Sequence, residues 1–142
     1  MKLLTSFLFL LFSATFMAQI ENPAGDYYLK LGKDGETVLE YKLALSNDGR
    51  FEFDYYRFIK TSIPQEEHYY GKGTWSVKEN IVYFTTNPAT DSDEHYTLDF
   101  SESKARFVFK NPRDTSERKV PTKLQFLESK IPWMERVAIL KL

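Results

Sequence analysis

Two histidines, several carboxylates and an unusually large set of aromatic side chains are the groups in this sequence with chemistry to offer. His68 and His95 have no ligand-type partner at helical i, i+4 spacing, so the usual zinc arrangement is not indicated. Asp91-Ser92-Asp93-Glu94-His95 offers oxygen ligands for a loosely held Ca²⁺ or Zn²⁺. It lacks the spacing and the glycine of an EF-hand, and a solvated loop is the simpler reading. There is no thiol for nucleophilic catalysis, and no serine lies in Gly-x-Ser-x-Gly. Glu52 with Asp54, or Glu66 with Glu67, are the carboxylate pairs available for glycoside chemistry. The first pair falls on the polar face of an alternating segment, which reads as surface. Gly71-Lys72-Gly73 lies within a strand pattern with no helix behind it, unlike a phosphate cradle. No catalytic residue, metal ligand or cofactor is assigned, and the expectation is a protein that is not an enzyme.

The aromatic residues are more suggestive. Tyr41, Phe53, Tyr55, Trp75, Tyr96, Phe100, Phe107 and Phe109 share the apolar parity of their segments. They either fill a core or line a pocket in which Arg57 or Arg106 orients a ligand. The tentative ligand-binding set is therefore Tyr41, Phe53, Tyr55, Arg57, Trp75, Tyr96, Arg106 and Phe107. Tyr28, Tyr56, Phe58, Tyr69 and Tyr70 form a second group, readable as a surface patch.

These residues are carried by segments alternating with period two and broken by turn residues. Gly25–Leu31, Thr37–Leu45 and Arg50–Lys60 read as strands joined at Gly32-Lys33-Asp34-Gly35 and Asn47-Asp48-Gly49. Parity is ambiguous after Tyr55-Tyr56, where Arg57 and Phe58 exchange the faces set earlier; a bulge there, or a strand aromatic on both sides, would explain it. Further strands are expected at His68–Val77, Ile81–Thr86, His95–Phe100, Ala105–Lys110 and Lys123–Leu127. Gly71 and Gly73 suggest a bend or a close backbone approach. Ser129–Leu142 reads as a turn and then a closing strand, with a short helix capped by Ser129 as the alternative. The expected fold is all-β: an antiparallel meander of about eight to nine short strands closing into a barrel, or else a β-sandwich.

Residues 1–18 have the layout of a secretory signal, with Lys2 ahead of an apolar run from Leu3. Ala18 is the expected cleavage point and Ala14 the runner-up; a retained signal anchor is the alternative. Residues 19–142 then make a single domain, too short for two. The chain has no cysteine, so neither a lipid-bearing cysteine nor a disulfide framework is available. These features suit a bacterial periplasmic or secreted protein with no stable membrane insertion once the signal is removed. The formal net charge of −1 supplies no basic field for nucleic acid.

Three strings carry a resemblance: Leu43-x-Leu45-x-x-Asp48-Gly49-x-Phe51, Gly71-x-Gly73-x-Trp75 and Asn80-Ile81-Val82-x-Phe84. With Gly25-Asp26-Tyr27 at the start, the stretch from residue 25 to 84 resembles the small lipocalin-like (calycin-like) barrels of many exported bacterial proteins. The sequence departs from eukaryotic lipocalins in lacking the disulfide and a C-terminal helix. It departs from similar copper-stress lipoproteins in lacking Cys-x-x-Cys and the lipid-bearing cysteine. The resemblance implies a barrel that holds an apolar ligand.

Two functions are expected on these grounds. One is a non-enzymatic binding protein with a small apolar ligand inside the barrel. The other is a filled β-domain whose surface aromatics bind a protein or cell-envelope partner.

Overall fold

The computed structural model describes residues 21–142, so the expected signal at residues 1–18 lies outside the described residues. Eight antiparallel strands follow one another around a closed barrel: β1 (Gly25–Lys33), β2 (Thr37–Leu45), β3 (Arg50–Ile59), β4 (Glu66–Lys78), β5 (Ile81–Thr85), β6 (Ser103–Val108), β7 (Lys123–Glu128) and β8 (Ala138–Lys141). The ring closes where β1 meets β8, with Tyr27 opposite Lys141 and Tyr28 opposite Leu140. The meander expected from the alternation is present, and it forms a barrel rather than a sandwich. Among the described residues, no helix is long and apolar enough to cross a membrane.

Tight turns set the register. Gly49 has φ +84°, a left-handed conformation that a side chain disfavours, in the turn joining β2 to β3. Glu79 and Asn80 both have positive φ between paired Lys78 and Ile81, the two-residue turn whose twist suits a hairpin.

No bulge interrupts β3. Its register with β2 runs unbroken from Tyr41 opposite Tyr55 through Glu40 opposite Tyr56 to Leu39 opposite Arg57. Arg57 therefore keeps the inward parity of Phe51, Phe53 and Tyr55. Its guanidinium is accommodated there by an ion pair with Glu67, its cross-strand neighbour on β4. The apparent parity change came from an inward charge, not from an extra residue.

The segment from His95 to Phe100 is not the strand its alternation suggests. It belongs to the connection from Thr86 to Glu102, which makes one isolated bridge, Tyr96 with Tyr70. Strand β5 ends at Thr85, so the first half of β4 has an open edge beyond it. The connection fills that edge, with the amides of Thr97 and Leu98 donating to the Tyr70 carbonyl. Thr86 Oγ1 donates to the Lys72 carbonyl and accepts from the Phe100 amide. Asp91 is 2% exposed and accepts from Arg50 at 2.8 Å and from the Asn87 amide at 2.8 Å.

The C-terminal segment is a turn followed by β8, as expected. Ser129 Oγ accepts from the Ile131 amide and meets Ser103 Oγ at 2.8 Å. This turn folds Ile131, Trp133 and Met134 onto the barrel, with Met134 fully buried.

Candidate functional site

Inside the barrel, strand pairing stacks side chains in rows. Tyr27, Leu43 and Phe53 lie side by side across β1, β2 and β3, with Gly71 next on β4. One step along, Leu29, Tyr41, Tyr55 and Tyr69 form the next row, and Leu31, Leu39, Arg57 and Glu67 the last. Phe100 packs edge-on against Phe51 and Phe53, at 5.2 and 5.0 Å between ring centroids. Phe84 adds Phe51 and Phe126 at 5.1 and 5.4 Å. Tyr27, Phe51, Phe53, Phe84, Phe100 and Phe126 are each no more than 2% exposed. This part of the interior is occupied by the protein's own rings.

Towards the Arg57 end, Trp133 stacks on Tyr55 at 4.0 Å and lies 6.2 Å from Tyr41. Burial, followed by the neighbouring Tyr55, pushes the Tyr41 hydroxyl up to about 12. Burial also raises Tyr55, opposed by the positive charge of Arg57. These phenols stay neutral and serve as hydrogen-bonding groups at physiological pH.

The eight residues expected to bind a ligand do not converge on one place. Tyr41, Phe53, Tyr55 and Phe107 are core residues. Arg57 sits in the last inward row, paired with Glu67. Trp75 is partly buried near the opposite rim, where its indole N–H donates to the Ser46 carbonyl at 2.9 Å. Arg106 is exposed on β6, on the opposite face from Phe107. Tyr96 is on the outer side of the barrel, because its segment lies along β4 as a loop rather than entering the inward alternation.

That outer side carries a different cluster. Pairing puts Tyr28, Lys42, Asp54 and Tyr70 in one outward row across β1–β4. Lys30, Glu40, Tyr56 and His68 form the next. The connection after β5 adds His95 and Tyr96 to the edge of this face. Both are aimed by Asp93, whose carboxylate accepts from their two amides at 2.8 and 2.7 Å. The same two amides hold the Asp93 carboxyl below its ordinary value.

The resulting groove is open, about 470 Å³ in volume, within the range of small-ligand and peptide sites. His95 stacks on Tyr70 at 4.0 Å, and Lys72 Nζ stands 4.2 Å from the centre of the Tyr96 ring. Asp26, Lys42, Ala44, Glu52 and Asp54 also line it. One oxygen of Asp54, Oδ1, is shielded from solvent and has no hydrogen-bond partner among the described residues. His68 Nδ1 stands 4.0 Å away from it. The side chain as a whole is 38% exposed, so the carboxylate meets solvent through its other atoms.

The chain matches no protein-family model, no curated protein and no solved structure. The reading of the site therefore rests on geometry alone.

The outer groove joins Tyr28 and Tyr70 of the expected surface patch with residues that patch omitted. Of the remaining members, Tyr56 and Phe58 are half-buried on the same outward parity, beside the groove, and Tyr69 points inward with Tyr55. Asp54 was recognisable as an outward carboxylate. Nothing in the local pattern around His95 and Tyr96 places them beside it, since that depends on the irregular path of the connection.

Proposed function

We propose that this chain is an exported, non-enzymatic binding domain that recognises a protein partner of the cell envelope through the outer face of β1–β4. The observation that carries this reading is the groove at Tyr28, Tyr70, His95 and Tyr96, with the partly exposed Asp54 carboxylate in its lining. Clustered, half-exposed aromatic side chains are what interface hot spots are made of. The ring-filled interior supports this reading over one in which the barrel holds its ligand inside. Export to the periplasm or beyond, and kinship with lipocalin-like barrels, are parts of the same proposal. They rest on the apolar segment after Lys2 and on the strand–turn motifs between residues 25 and 84.

A second reading keeps a small apolar ligand at the Arg57 end of the barrel. It is favoured by one feature, the Tyr41–Tyr55–Tyr69–Trp133 aromatic group next to an inward Arg57. There, Trp133 is the side chain that a ligand would displace or stack upon.

The two readings separate in one experiment. The Tyr28→Ala/Tyr70→Ala and Trp133→Ala variants are each compared with the unaltered protein for co-purification of envelope partners. Loss of a partner in the first variant and its retention in the second supports the outer face. No partner recovered with the unaltered protein, together with a small apolar molecule seen by native mass spectrometry and lost only from Trp133→Ala, replaces it with the barrel end.

A further inference from the structure

We infer that the outer face of β5–β8 docks on an anionic lipid surface and leaves the groove on β1–β4 facing away from it. This goes beyond the outer-face reading and rests on other residues. The small net charge hides a segregation along the chain. Residues 21–102 carry 16 carboxylates against eight lysines and arginines, whereas residues 103–142 carry four against ten. Seven of those ten cations fall between Lys104 and Lys123, on β6, the start of β7 and the connection joining them. Asp114 and Glu117 are the only carboxylates in that stretch. Lys104 is tied to Glu128 and Arg118 to Asp114; the other five have no ion-pair partner among the described residues. In the ring of eight strands β7 lies across from β3, so this positive arc backs the groove.

The second observation is apolar. Pairing sets Ile81, Arg106 and Gln125 in one outward row and Val108, Lys123 and Leu140 in the next, with Tyr83 beside Lys104. The solvated face of an antiparallel sheet is ordinarily polar. Here Tyr83 and Leu140 are exposed, and Ile81 and Val108 are only half-buried. The only carboxylate on these four strands is Glu128, which Lys104 holds at 3.3 Å.

Cations interleaved with protruding apolar side chains match the layering of a lipid surface, where anionic headgroups lie over hydrocarbon. Lysines and arginines near such a surface are attracted collectively, by a charge spread over a plane. Their long stems let the apolar side chains between them reach past the headgroups. A folded protein partner offers discrete ion pairs instead, from which exposed, flexible cations such as Arg113 and Lys119 gain little.

The test uses the protein in its exported form, without residues 1–18, and two vesicle preparations. One is phosphatidylcholine alone, and the other is phosphatidylcholine mixed equally with phosphatidylglycerol. Co-sedimentation measures binding, and a tryptophan introduced by Leu140→Trp reports through its added fluorescence whether that position enters the lipid. The expected result is binding to the mixed vesicles only, weakened by added salt, with a blue shift at position 140. Arg106→Glu/Arg113→Glu/Lys119→Glu lowers this binding by about tenfold or more with the melting temperature unchanged. Tyr28→Ala/Tyr70→Ala leaves it intact.

Equal binding to phosphatidylcholine vesicles overturns the proposal, as does mixed-vesicle binding that the triple variant retains. Displacement by soluble polyglutamate without a blue shift at position 140 gives the face to an acidic protein instead. Salt-sensitive dimers in sedimentation velocity, abolished by the triple variant and found without vesicle binding, give it to a second copy of this chain. The groove on β1–β4 is decided separately, by envelope-partner recovery.

Discussion

Gly71 and Phe100 occupy one place in the barrel between them. A Cβ built on Gly71 would stand 2.7 Å from Cε2 of the Phe100 ring, closer than carbon atoms approach. The missing side chain on β4 is thus the space into which the connection after β5 inserts its anchor. That same anchor holds the strand-like stretch which brings His95 and Tyr96 to the outer groove.

This relationship predicts a coupled pair. Gly71→Ala is expected to cost about 1–3 kcal/mol by overpacking, and Phe100→Ala about 3–5 kcal/mol by opening a cavity. In the Phe100→Ala background the Gly71→Ala cost falls, since of the close approaches only that to Leu98 Cβ at 3.2 Å then remains. Urea unfolding of the two single variants and the double variant measures this coupling.

The Arg50–Asp91 contact predicts an acid-sensitive connection. Burial by itself would raise the Asp91 carboxyl; the Arg50 guanidinium and the Asn87 amide outweigh it and hold the group below its ordinary 3.8. A depressed folded-state value means the stabilisation is complete above the unfolded-state value and disappears as pH falls through the folded one. Stability is therefore expected to drop below about pH 3.8, the ordinary carboxyl value, and Asp91→Asn to flatten that drop. At neutral pH, Asp91→Ala costs about 1–3 kcal/mol, towards the lower end because Arg50 is 44% exposed. Unfolding at a series of pH values, with and without the substitution, reads both effects.

Trp133→Ala is expected to destabilise by about 3 kcal/mol, at the low end for an aromatic truncation because the ring is only partly buried. The space vacated beside Tyr41 and Tyr55 should then admit a hydrophobic dye. Dye fluorescence that rises in the variant and stays low in the unaltered protein agrees with Trp133 closing that end. Strong dye binding by the unaltered protein favours the interior-ligand reading.

The groove side chains behave differently. Tyr28→Ala and Tyr70→Ala should each change stability by less than about 1 kcal/mol, because both rings are partly exposed and pack on the outer face. Their effect falls on partner recovery. Thermal melts run beside the recovery assay keep folding and recognition apart.

The strand order was legible because period-two alternation and glycine turns report local physics. Thr37–Leu45 shows it best, with Tyr41, Leu43 and Leu45 inward and closed by a turn at Gly49. The alternation failed where an inward position is polar, as at Arg57. There only the pairing with Glu67 explains why the parity continues. It failed again at His95–Phe100, whose alternation mimics a strand although the segment is held by side-chain and single-bridge contacts. Phe100 was correctly read as inward and Tyr96 was not, since the two belong to opposite sides of an irregular path. The groove was legible only in part for the same reason. Tyr28, Asp54 and Tyr70 follow from strand parity; His95 and Tyr96 arrive through tertiary contacts between residues distant in sequence.

The most direct test of the outer-face account places a photo-crosslinking amino acid at Tyr28, Tyr70, Tyr83 or Trp133 in turn and irradiates intact cells producing the protein. Tyr83 is an exposed residue on β5 that does not line the groove, and Trp133 marks the barrel end. The account predicts one shared adduct from positions 28 and 70 and none from 83 or 133. An adduct formed from position 133 but absent from 28 and 70 would contradict it.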